Sequence, residues 1–326
     1  MSMRADYPLV VVTPVYEDTE ASGRLFHELA AVFGADVHVV AVDDGSVHQP
    51  VSVASLAQAG LGGTVITLKR NEGHQRAIAV GLCYVADCWG TRASRIVTMD
   101  SDGEDLPGTV KELMAPLDAG DVDVVVAQRR SRAETLRFRV FYQVYKRMFH
   151  LLTGRRISFG NFMAMTPAAA GRLAAMHELW IHVAGCVLAS RMRMAGCPLD
   201  RGPRYAGRSK LNFVSLALHG FRGLMVFAED VLVRVGIACA AVAGFSLLAM
   251  AVAVALKLAG LATPGWFSVA LGILLLVLLQ TGTLTLTMLM LTGVVRGGGV
   301  NVRSYRDLIA SIAHTHQDDV GGKLQA

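Results

Sequence analysis

The sequence has 326 residues, is 53% hydrophobic and carries a formal net charge of +5 at pH 7. A chain of this length accommodates one large domain or two ordinary ones. Its five cysteines include no C-x-x-C pair, which argues against a disulfide framework or a zinc site and fits a reducing compartment. Most of the hydrophobic excess lies in the C-terminal third of the chain.

Short apolar runs alternate with helical patterns through the first half of the chain. We predict strands at residues 9–13, 37–42, 65–68, 96–99 and 122–127. After the first strand, Thr19 is expected to cap a helix whose apolar residues recur at helical spacing as far as Phe33. Strands that alternate with helices predict an α/β fold with a mostly parallel sheet covered on both faces.

An acidic loop, residues 100–105, follows the fourth predicted strand. Its four carboxylates belong to Asp100, Asp102, Glu104 and Asp105. The loop would lie at the carboxyl edge of the sheet, where open α/β sheets bind ligands. Clustered carboxylates ionise poorly unless a cation lies among them, and hard oxygen ligands favour Mg²⁺ or Mn²⁺. The alternative is a solvated loop that only caps the next helix.

Other predicted strands also end in polar residues, so one shared site is expected at this edge. Tyr16 and Asp18 follow the first strand, Asp44 follows the second and Arg129 follows the fifth. Carboxylates can accept hydrogen bonds from a base or ribose, an aromatic ring can stack on the base, and a metal at the acidic loop would stabilise a diphosphate leaving group. No G-x-G-x-x-G or P-loop motif follows any strand, which weakens a dinucleotide-binding or P-loop interpretation.

Six motifs occur in one order, namely PVYED, VDDGS, RNEGHQRAIAVGL, MDSDGEDLP, ISFGNF and RYAGRSKLNF. Together they resemble the family 2 glycosyltransferases of the GT-A fold. Within that family they look most like the membrane-bound polyprenyl-phosphate glycosyltransferases, the group that contains dolichyl-phosphate mannose synthase. The resemblance implies a Rossmann-like GT-A domain, a UDP- or GDP-sugar donor and a polyprenyl phosphate acceptor.

The resemblance also implies roles for individual residues. The positions implied to bind the nucleotide sugar are Pro14, Tyr16, Asp18, Asp44, Asp100 and Ser101. The implied Mg²⁺ or Mn²⁺ ligands are Asp100 and Asp102, with Glu104 as the third. From the chemistry of the predicted site, we expect Asp102, Asp105, Arg129 and Arg204 to act in catalysis. PVYED departs from the usual pattern, because Glu17 and Asp18 stand where relatives have Asn and Glu.

The middle of the chain is basic and amphipathic. Residues 134–156 place aromatic side chains beside arginines and lysines, which suits a membrane surface with anionic head groups. Nucleic acid is the rival partner for such a face, and a core-packing helix with a solvated face is a third interpretation. The apolar spans further along the chain favour membrane lipid as the partner and no nucleic acid.

A glycine- and arginine-rich loop at residues 201–210 precedes an apolar, amphipathic stretch at 211–227. Such a stretch is expected to lie in the membrane interface. Guanidinium and ammonium groups in the loop can wrap phosphates. The resemblance implies that Arg204, Ser209 and Lys210 contact the phosphate of the donor or the lipid. A positive loop that serves only membrane topology is the alternative.

Two apolar spans, residues 235–256 and 266–295, are both long enough to cross a bilayer. The arginines that flank the pair are Arg222, Arg234, Arg296, Arg303 and Arg306. The positive-inside rule therefore predicts a multi-pass protein of the inner membrane, with the catalytic domain and both termini in the cytoplasm. The polar residues of the second span, Gln280, Thr281, Thr283, Thr285 and Thr287, are expected to hydrogen-bond to the first span or to another subunit of a homo-oligomer.

The predicted organisation has four parts. Residues 1–165 form the GT-A core, 166–230 an acceptor segment with interfacial helices, 231–298 the two-helix transmembrane region, and 299–326 a short cytoplasmic tail. The predicted function is the inverting, metal-dependent transfer of one sugar from a nucleotide sugar to polyprenyl phosphate at the cytoplasmic face of the membrane.

The acceptor decides which groups this chemistry needs. A lipid phosphate is already anionic, so its reaction rests on positioning and charge stabilisation. A sugar hydroxyl of a lipid-linked glycan or polysaccharide would need a general base, for which Asp105 or Glu104 is the choice. A non-catalytic membrane scaffold is the third alternative, and the Asp100 and Asp102 pair argues against it.

Overall fold

The computed structural model describes residues 7–90, 92–129, 136–205, 213–297 and 304–315. The chain divides into two compact units. The first unit is made of Met1–Tyr142, Ile157–Val226 and Val302–Ala326, and the second of Gln143–Arg156 and Phe227–Asn301. The first unit contains a β-sheet with its helices, and the part of the second that the structure describes is helical.

The described part of the first unit contains eight strands. They are β1 Tyr7–Val15, β2 Val37–Asp43, β3 Gly62–Leu68, β4 Ala93–Thr98, β5 Val124–Arg129, β6 Met163–Met165, β7 Met194–Leu199 and β8 Ile309–His314. They form one sheet in the order β7-β5-β6-β4-β1-β2-β3-β8. β1 pairs in parallel with β2 and β4, β2 with β3, and β5 with β7. β6 and β8 run antiparallel to their neighbours.

The described residues also form ten α-helices. They are α1 Thr19–Phe33, α2 Val53–Gln58, α3 His74–Trp89, α4 Val110–Asp118, α5 Leu136–Thr153, α6 Pro167–Ala174, α7 Val183–Ala189, α8 Phe213–Met225, α9 Ala228–Leu258 and α10 Trp266–Gly297. The expectation that Thr19 caps α1 is wrong. Asp18 is the N-cap, because its Oδ1 accepts a hydrogen bond from the backbone N–H of Ala21 at 3.2 Å.

Successive residues of the central strands face opposite sides of the sheet. On one side, Val10 and Val12 of β1 belong to a core that includes residues of α3, α6 and α7. On the other, Leu9 and Val11 belong to a core with residues of α1, α2 and α4. A strand buried on both faces is what the uninterrupted apolar runs indicated. The predicted α/β fold with a mostly parallel sheet is therefore confirmed.

Three strands were absent from the prediction. β6 has only three residues, which is too short to show a period. β7 contains Gly196 and Pro198, two residue types that are depleted in strands. β8 lies within the tail predicted for residues 299–326, and nothing in its surroundings indicated a strand. All three join the sheet through pairings with segments distant in sequence.

β8 is tied to the first unit by polar contacts as well as by its ladder with β3. Thr64 Oγ1 of β3 lies 3.1 Å from Nδ1 of His314. Just before β8, the hydroxyl of Tyr305 donates to Asp87 of α3 at 2.7 Å. Segments that precede α9 and segments that follow α10 therefore belong to the same sheet.

The second unit contains α9 and α10, which pack along one another. Both are long and apolar enough to cross a membrane, with mean hydropathies of 2.4 and 2.1 over their most apolar windows. Large side chains such as Phe245 and Leu248 are 71% and 62% exposed. Apolar surface this extensive indicates contact with lipid or with another protein. The helices coincide with the two predicted spans.

The threonines of α10 differ from expectation. Their hydroxyls donate to backbone carbonyls four residues earlier in the same helix: Thr281 to Val277, Thr283 to Leu279, Thr285 to Thr281 and Thr287 to Thr283, at 2.7–2.8 Å. This back-bonding is available to any helical threonine. It satisfies the hydroxyl donors without the first span.

The close contact between α3 and the sheet generates a prediction about Gly81. A Cβ at this position would overlap Cγ1 of Val12 and would lie 3.0 Å from Cγ2 of Val42. Both neighbours are β-branched and stiff. Gly81→Ala should therefore lower the free energy of unfolding by about 1–3 kcal/mol, although Ala gains about 1 kcal/mol of helix propensity.

Gly23→Ala is the matched control for that measurement. Gly23 also lies in a helix, but a Cβ there meets nothing within 4 Å. Thermal unfolding of both variants in detergent checks the difference. A Gly81→Ala melting temperature at or above that of Gly23→Ala would contradict the tight α3–sheet contact.

Candidate functional site

The acidic loop is held in place by its own backbone and by β1. The hydroxyl of Ser101 donates to the carbonyl of Pro14 at 3.0 Å. Asp105 is only 5% exposed, and its Oδ2 accepts from the backbone N–H of Asp100 at 3.0 Å. Oδ1 of Asp102 accepts from the N–H of Glu104 at 3.0 Å. These bonds fix the loop at the carboxyl edge of the sheet.

A second segment, which we call the strap and define as residues 200–205, follows β7 and covers the acidic loop. The backbone N–H of Gly202 donates to the carbonyl of Glu104 at 3.0 Å, and that of Tyr205 donates to the carbonyl of Asp102 at 2.9 Å. Gly103 has φ +89°, and a Cβ there would come within 2.6 Å of the Tyr205 ring. Only glycine meets both conditions without strain.

Two arginines of the strap pair with the acidic loop. Nη2 of Arg204 lies 2.9 Å from Oδ2 of Asp102, and its Nε lies 2.9 Å from Oε1 of Glu104. Arg201 pairs with Oε2 of the same glutamate. Arg204, predicted to act in catalysis, therefore lies beside Asp102 as the shared site required. Glu104, predicted as the third metal ligand, faces two guanidinium groups.

The N-terminus of α3 contributes a histidine and a glutamine that the sequence analysis did not assign. Nε2 of His74 lies 3.2 Å from Oδ1 of Asp100 and 3.1 Å from Nδ2 of Asn161. Gln75 donates to Oδ1 of Asn161 and accepts from the N–H of Val183. Burial lowers the pKa of His74, but the carboxylates of Asp100, Asp102 and Asp44 together outweigh it and the net pKa is raised. In the sequence, the one sign that His74 and Gln75 lie near the site was the position of the GHQ triplet beside a predicted helix start.

Glu17 is another residue near the predicted site to which the sequence analysis gave no role. It adopts the left-handed region at φ +47°, and its carboxylate accepts from the backbone N–H groups of Val47, His48 and Gln49 at 2.7–3.2 Å. The bond from Val47, followed by those from the next two residues, lowers its pKa. Glu17 thus organises the loop after β2, next to Tyr16.

Two carboxylates that were predicted to bind the nucleotide accept hydrogen bonds from backbone N–H groups in the structure. Asp44 is 2% exposed, and it accepts from the N–H groups of Glu72 and Gly73 at 2.8–3.3 Å. Burial raises its pKa. Asp18 caps α1. Tyr16 is 42% exposed at the end of β1, where its ring is accessible for stacking.

The structure does not describe the side chains of three predicted site residues. Ser209 and Lys210 fall within residues 206–212, which the structure does not describe. The backbone of Arg129 ends β5 opposite Leu199 of β7, but its side chain is outside the described part. Within the described part of the chain, the basic residues of the glycine- and arginine-rich loop that contact the acidic loop are therefore Arg201 and Arg204 of the strap.

The electrostatics of the acidic loop suit a cation. Burial, together with the charge of Asp100, raises the pKa of Asp102. The same two causes raise the pKa of Asp105 to about 8. Carboxylates that repel one another in a desolvated loop are stabilised by a divalent ion, and the hard oxygens of Asp100 and Asp102 fit Mg²⁺ or Mn²⁺.

The predicted three-carboxylate metal set is not assembled. Among the residues that the structure describes, no group of three or more His, Cys, Asp or Glu side chains is arranged to hold a metal ion. Glu104 was expected to be a metal ligand, but the strap brings two arginines to its carboxylate. These arginines lie about a hundred residues further along the chain, so no local pattern in the sequence indicated the contact.

Residues 10–180 match the model of the family described as "Glycosyl transferase family 2". The chain belongs to this family. The match contains β1 from Val10 onward, β2 to β6 and the whole acidic loop. It confirms the resemblance to the family 2 glycosyltransferases, and five of the six motifs lie within it, while RYAGRSKLNF lies beyond its end. Together with the sheet order it confirms a GT-A type of fold followed by two apolar helices.

Two curated relatives have the same name, undecaprenyl-phosphate 4-deoxy-4-formamido-L-arabinose transferase. The protein from Enterobacter sp. (strain 638) is 27% identical over 223 residues, which cover 66% of this chain and 65% of the relative. The protein from Klebsiella pneumoniae is 26% identical over 215 residues, 63% of each chain. The aligned region thus spans slightly less than two thirds of either relative.

Solved structures with a similar fold include glucosyl-3-phosphoglycerate synthase from Mycobacterium tuberculosis. Its complex with Mn²⁺, uridine diphosphate and phosphoglyceric acid has a TM-score of 0.49 and 16% identity, covering 70% of this chain and 78% of that one. The same enzyme with Mg²⁺ and uridine diphosphate has a TM-score of 0.47, with 16% identity, 70% of this chain and 79% of that one covered.

The contacts of Glu17 generate a prediction about local stability. Glu17→Gln keeps the size of the side chain but removes its charge and one of its two acceptor oxygens. The amides of Val47, His48 and Gln49 should then exchange with deuterium several-fold faster at neutral pH, where the wild-type carboxylate is ionised.

Hydrogen exchange with mass spectrometry checks this, and Glu20→Gln on the first turn of α1 is the matched control. The control should leave exchange at residues 47–49 unchanged. Equal protection of these amides in Glu17→Gln and wild type would show that the carboxylate does not organise the loop.

Proposed function

We propose that this chain is an inverting glycosyltransferase that moves one sugar from a nucleotide-sugar donor to a polyprenyl phosphate. The observation that carries the proposal is the contact of Arg204 with Asp102. It supports the proposal because a guanidinium suits phosphate and a carboxylate suits a divalent cation. Such a pair suits a reaction in which two anionic phosphate groups must approach each other. The names of the two undecaprenyl-phosphate relatives support the acceptor class.

The state of the two candidate bases supports a phosphate acceptor over a sugar hydroxyl. Asp105 is buried beneath the loop and holds the N–H of Asp100. Both oxygens of Glu104 pair with guanidinium groups of the strap. These contacts support a positioning role for both carboxylates more than the role of a general base. A lipid phosphate needs no such base, because its oxygen is already anionic.

A divalent cation would be held by Asp100 and Asp102, and when bound it would neutralise the diphosphate of the leaving nucleotide. The protein's own residues supply the other functions. We assign charge stabilisation of the phosphates to Arg204 and Arg129, and stacking on the base to Tyr16. Asp18 and Asp44 would shape the nucleotide pocket through their hydrogen bonds to backbone N–H groups at the start of α1 and just before α3.

The fold also restricts how the chain would lie in a membrane. β8, which follows α10, pairs with β3 of the first unit, so the chain must return to its starting side after α9 and α10. Two crossings satisfy this requirement. Arg222 and Arg234 lie before or at the start of the spans, and Arg306 lies after them. By the positive-inside rule these arginines support a cytoplasmic position for that side. We therefore propose an inner-membrane enzyme with its site at the cytoplasmic face.

Sugar transfer is the direct test of the proposed activity. Purified full-length protein in detergent is incubated with radiolabelled UDP- or GDP-sugars, Mn²⁺ or Mg²⁺, and undecaprenyl phosphate. We expect a labelled lipid product with one sugar of inverted anomeric configuration. Asp102→Asn should reduce the rate by a hundredfold or more, roughly the scale of one lost preorganised charge stabiliser, and chelation should mimic it.

The matched control is Asp118→Asn, which removes an exposed carboxylate that pairs with Arg95. Its rate should equal that of wild type. Transfer only to a sugar hydroxyl or to water would refute the acceptor assignment. Full turnover in excess chelator would refute the cation.

Membrane orientation is tested by cysteine labelling in a variant whose five native cysteines are replaced. A Thr263→Cys site, in the segment between α9 and α10, should react with an impermeant reagent added to intact cells. A Gln58→Cys site, at the end of α2, should react only after lysis, because basic residues keep that side in the cytoplasm. The reverse pattern would place the proposed active site outside the cytoplasm.

A further inference from the structure

Glu104 and Asp102 share one guanidinium but are not equivalent. Glu104 has Oε1 paired with Arg204 and Oε2 paired with Arg201. Asp102 has Oδ1 bonded to the N–H of Glu104 and Oδ2 paired with Nη2 of Arg204. A cation that coordinates Oδ2 of Asp102 would lie close to the positive guanidinium of Arg204, and the two like charges would repel each other. Among the described partners of Asp102, the side chain of Arg204 can move away without breaking a backbone bond of the loop.

The strap is fixed independently of that ion pair. Gly202 and Tyr205 donate to backbone carbonyls of the acidic loop. The hydroxyl of Tyr205 donates to Glu28 of α1, and Arg24 lies over the Tyr205 ring at 4.5 Å. Displacement of Arg204 from Asp102 is therefore a local movement of one side chain and leaves the strap in place.

We propose that Glu104 is a positioning residue that anchors Arg204, not a metal ligand, and that Arg204 and a divalent cation compete for Asp102. The proposal deepens the proposed function, which places a cation at Asp102. Without a cation, Arg204 neutralises Asp102. With one bound, Arg204 stays at the site through its Nε bond to Glu104 and turns its freed Nη2 toward the phosphates.

The charges set the expected size of the competition. An arginine beside a carboxylate typically lowers the pKa of that carboxylate by about one to three units, which means that proton binding weakens by about ten- to a thousandfold. A guanidinium should weaken the binding of another cation to the same carboxylate for the same electrostatic reason. Arg204, Asp102 and Glu104 are 30%, 19% and 19% exposed in their side chains, so solvent screening reduces the effect. We expect roughly tenfold tighter Mn²⁺ binding when the guanidinium is removed.

Mn²⁺ binding measured without donor or acceptor tests this. Free Mn²⁺ is counted by electron paramagnetic resonance during titration of the full-length protein in detergent. Arg204→Gln should bind Mn²⁺ about tenfold more tightly than wild type, and Asp102→Asn should lose binding. The control Arg193→Gln removes an arginine that pairs with Asp123 at 2.7 Å, just before β5 and β7, and should behave as wild type.

The double variant Arg204→Gln/Glu104→Gln separates an anchor from a ligand. If Glu104 only positions Arg204, the double variant should bind Mn²⁺ within roughly fivefold of wild type, because one screened charge of each sign is removed. A loss as complete as that in Asp102→Asn would make Glu104 a ligand and overturn the proposal. Unchanged affinity in Arg204→Gln would overturn the competition.

A measurement on the wild-type protein covers the case in which a variant does not fold. The amides of Gly202 and Tyr205 should keep their protection from hydrogen exchange when Mn²⁺ is added, since the strap stays in place. Faster exchange at both would overturn the anchoring.

These experiments use neither nucleotide nor lipid, so absence of sugar transfer would refute the proposed function alone. Absence of Mn²⁺ binding in both wild type and Arg204→Gln would refute the cation and the competition together.

Discussion

The repulsion among the carboxylates of the acidic loop is the constraint on which the rest of the site depends. Asp100, Asp102, Glu104 and Asp105 lie within six residues, and both burial and mutual repulsion raise the pKa of Asp102 and Asp105. Positive charge must reach this loop for its acids to stay ionised. The structure brings it from the strap through Arg201 and Arg204. At the start of α3, His74 lies 3.2 Å from Asp100, and the carboxylates of the site raise its pKa.

Several other acids of the site are used as local scaffolding. Glu17, Asp18, Asp43 and Asp44 each accept backbone N–H groups of loops that follow strands or begin helices. Loops at the carboxyl edge of a parallel sheet have unpaired N–H groups that need acceptors. Carboxylates meet this need with charge-assisted bonds. The same side chains can therefore shape a ligand pocket without contacting the ligand directly.

The sequence predicted those parts of the molecule whose signals are local. The apolar runs of β1 to β5 and the two long apolar helices each have a pattern within their own residues. The missing parts depend on contacts between distant segments. β8 pairs with β3 across more than two hundred residues, and Arg204 meets Glu104 across a hundred. No period or motif in either partner indicates the other, so Glu104 was expected among the metal ligands.

An exchange of counter-charges connects these features to the proposed chemistry. In the absence of a cation, Arg204 balances Asp102. On the proposed mechanism, a bound cation takes over that role, and the guanidinium becomes available to balance phosphate without leaving the site. A planar guanidinium suits this task, because Nε and Nη2 already bond to different partners at the same time. Lysine has all three of its donors on one nitrogen, so its partners must crowd around a single atom. Arginine can keep Glu104 on Nε while a separate nitrogen, Nη2, changes its partner, and this makes the positioning by Glu104 better suited to arginine than to lysine.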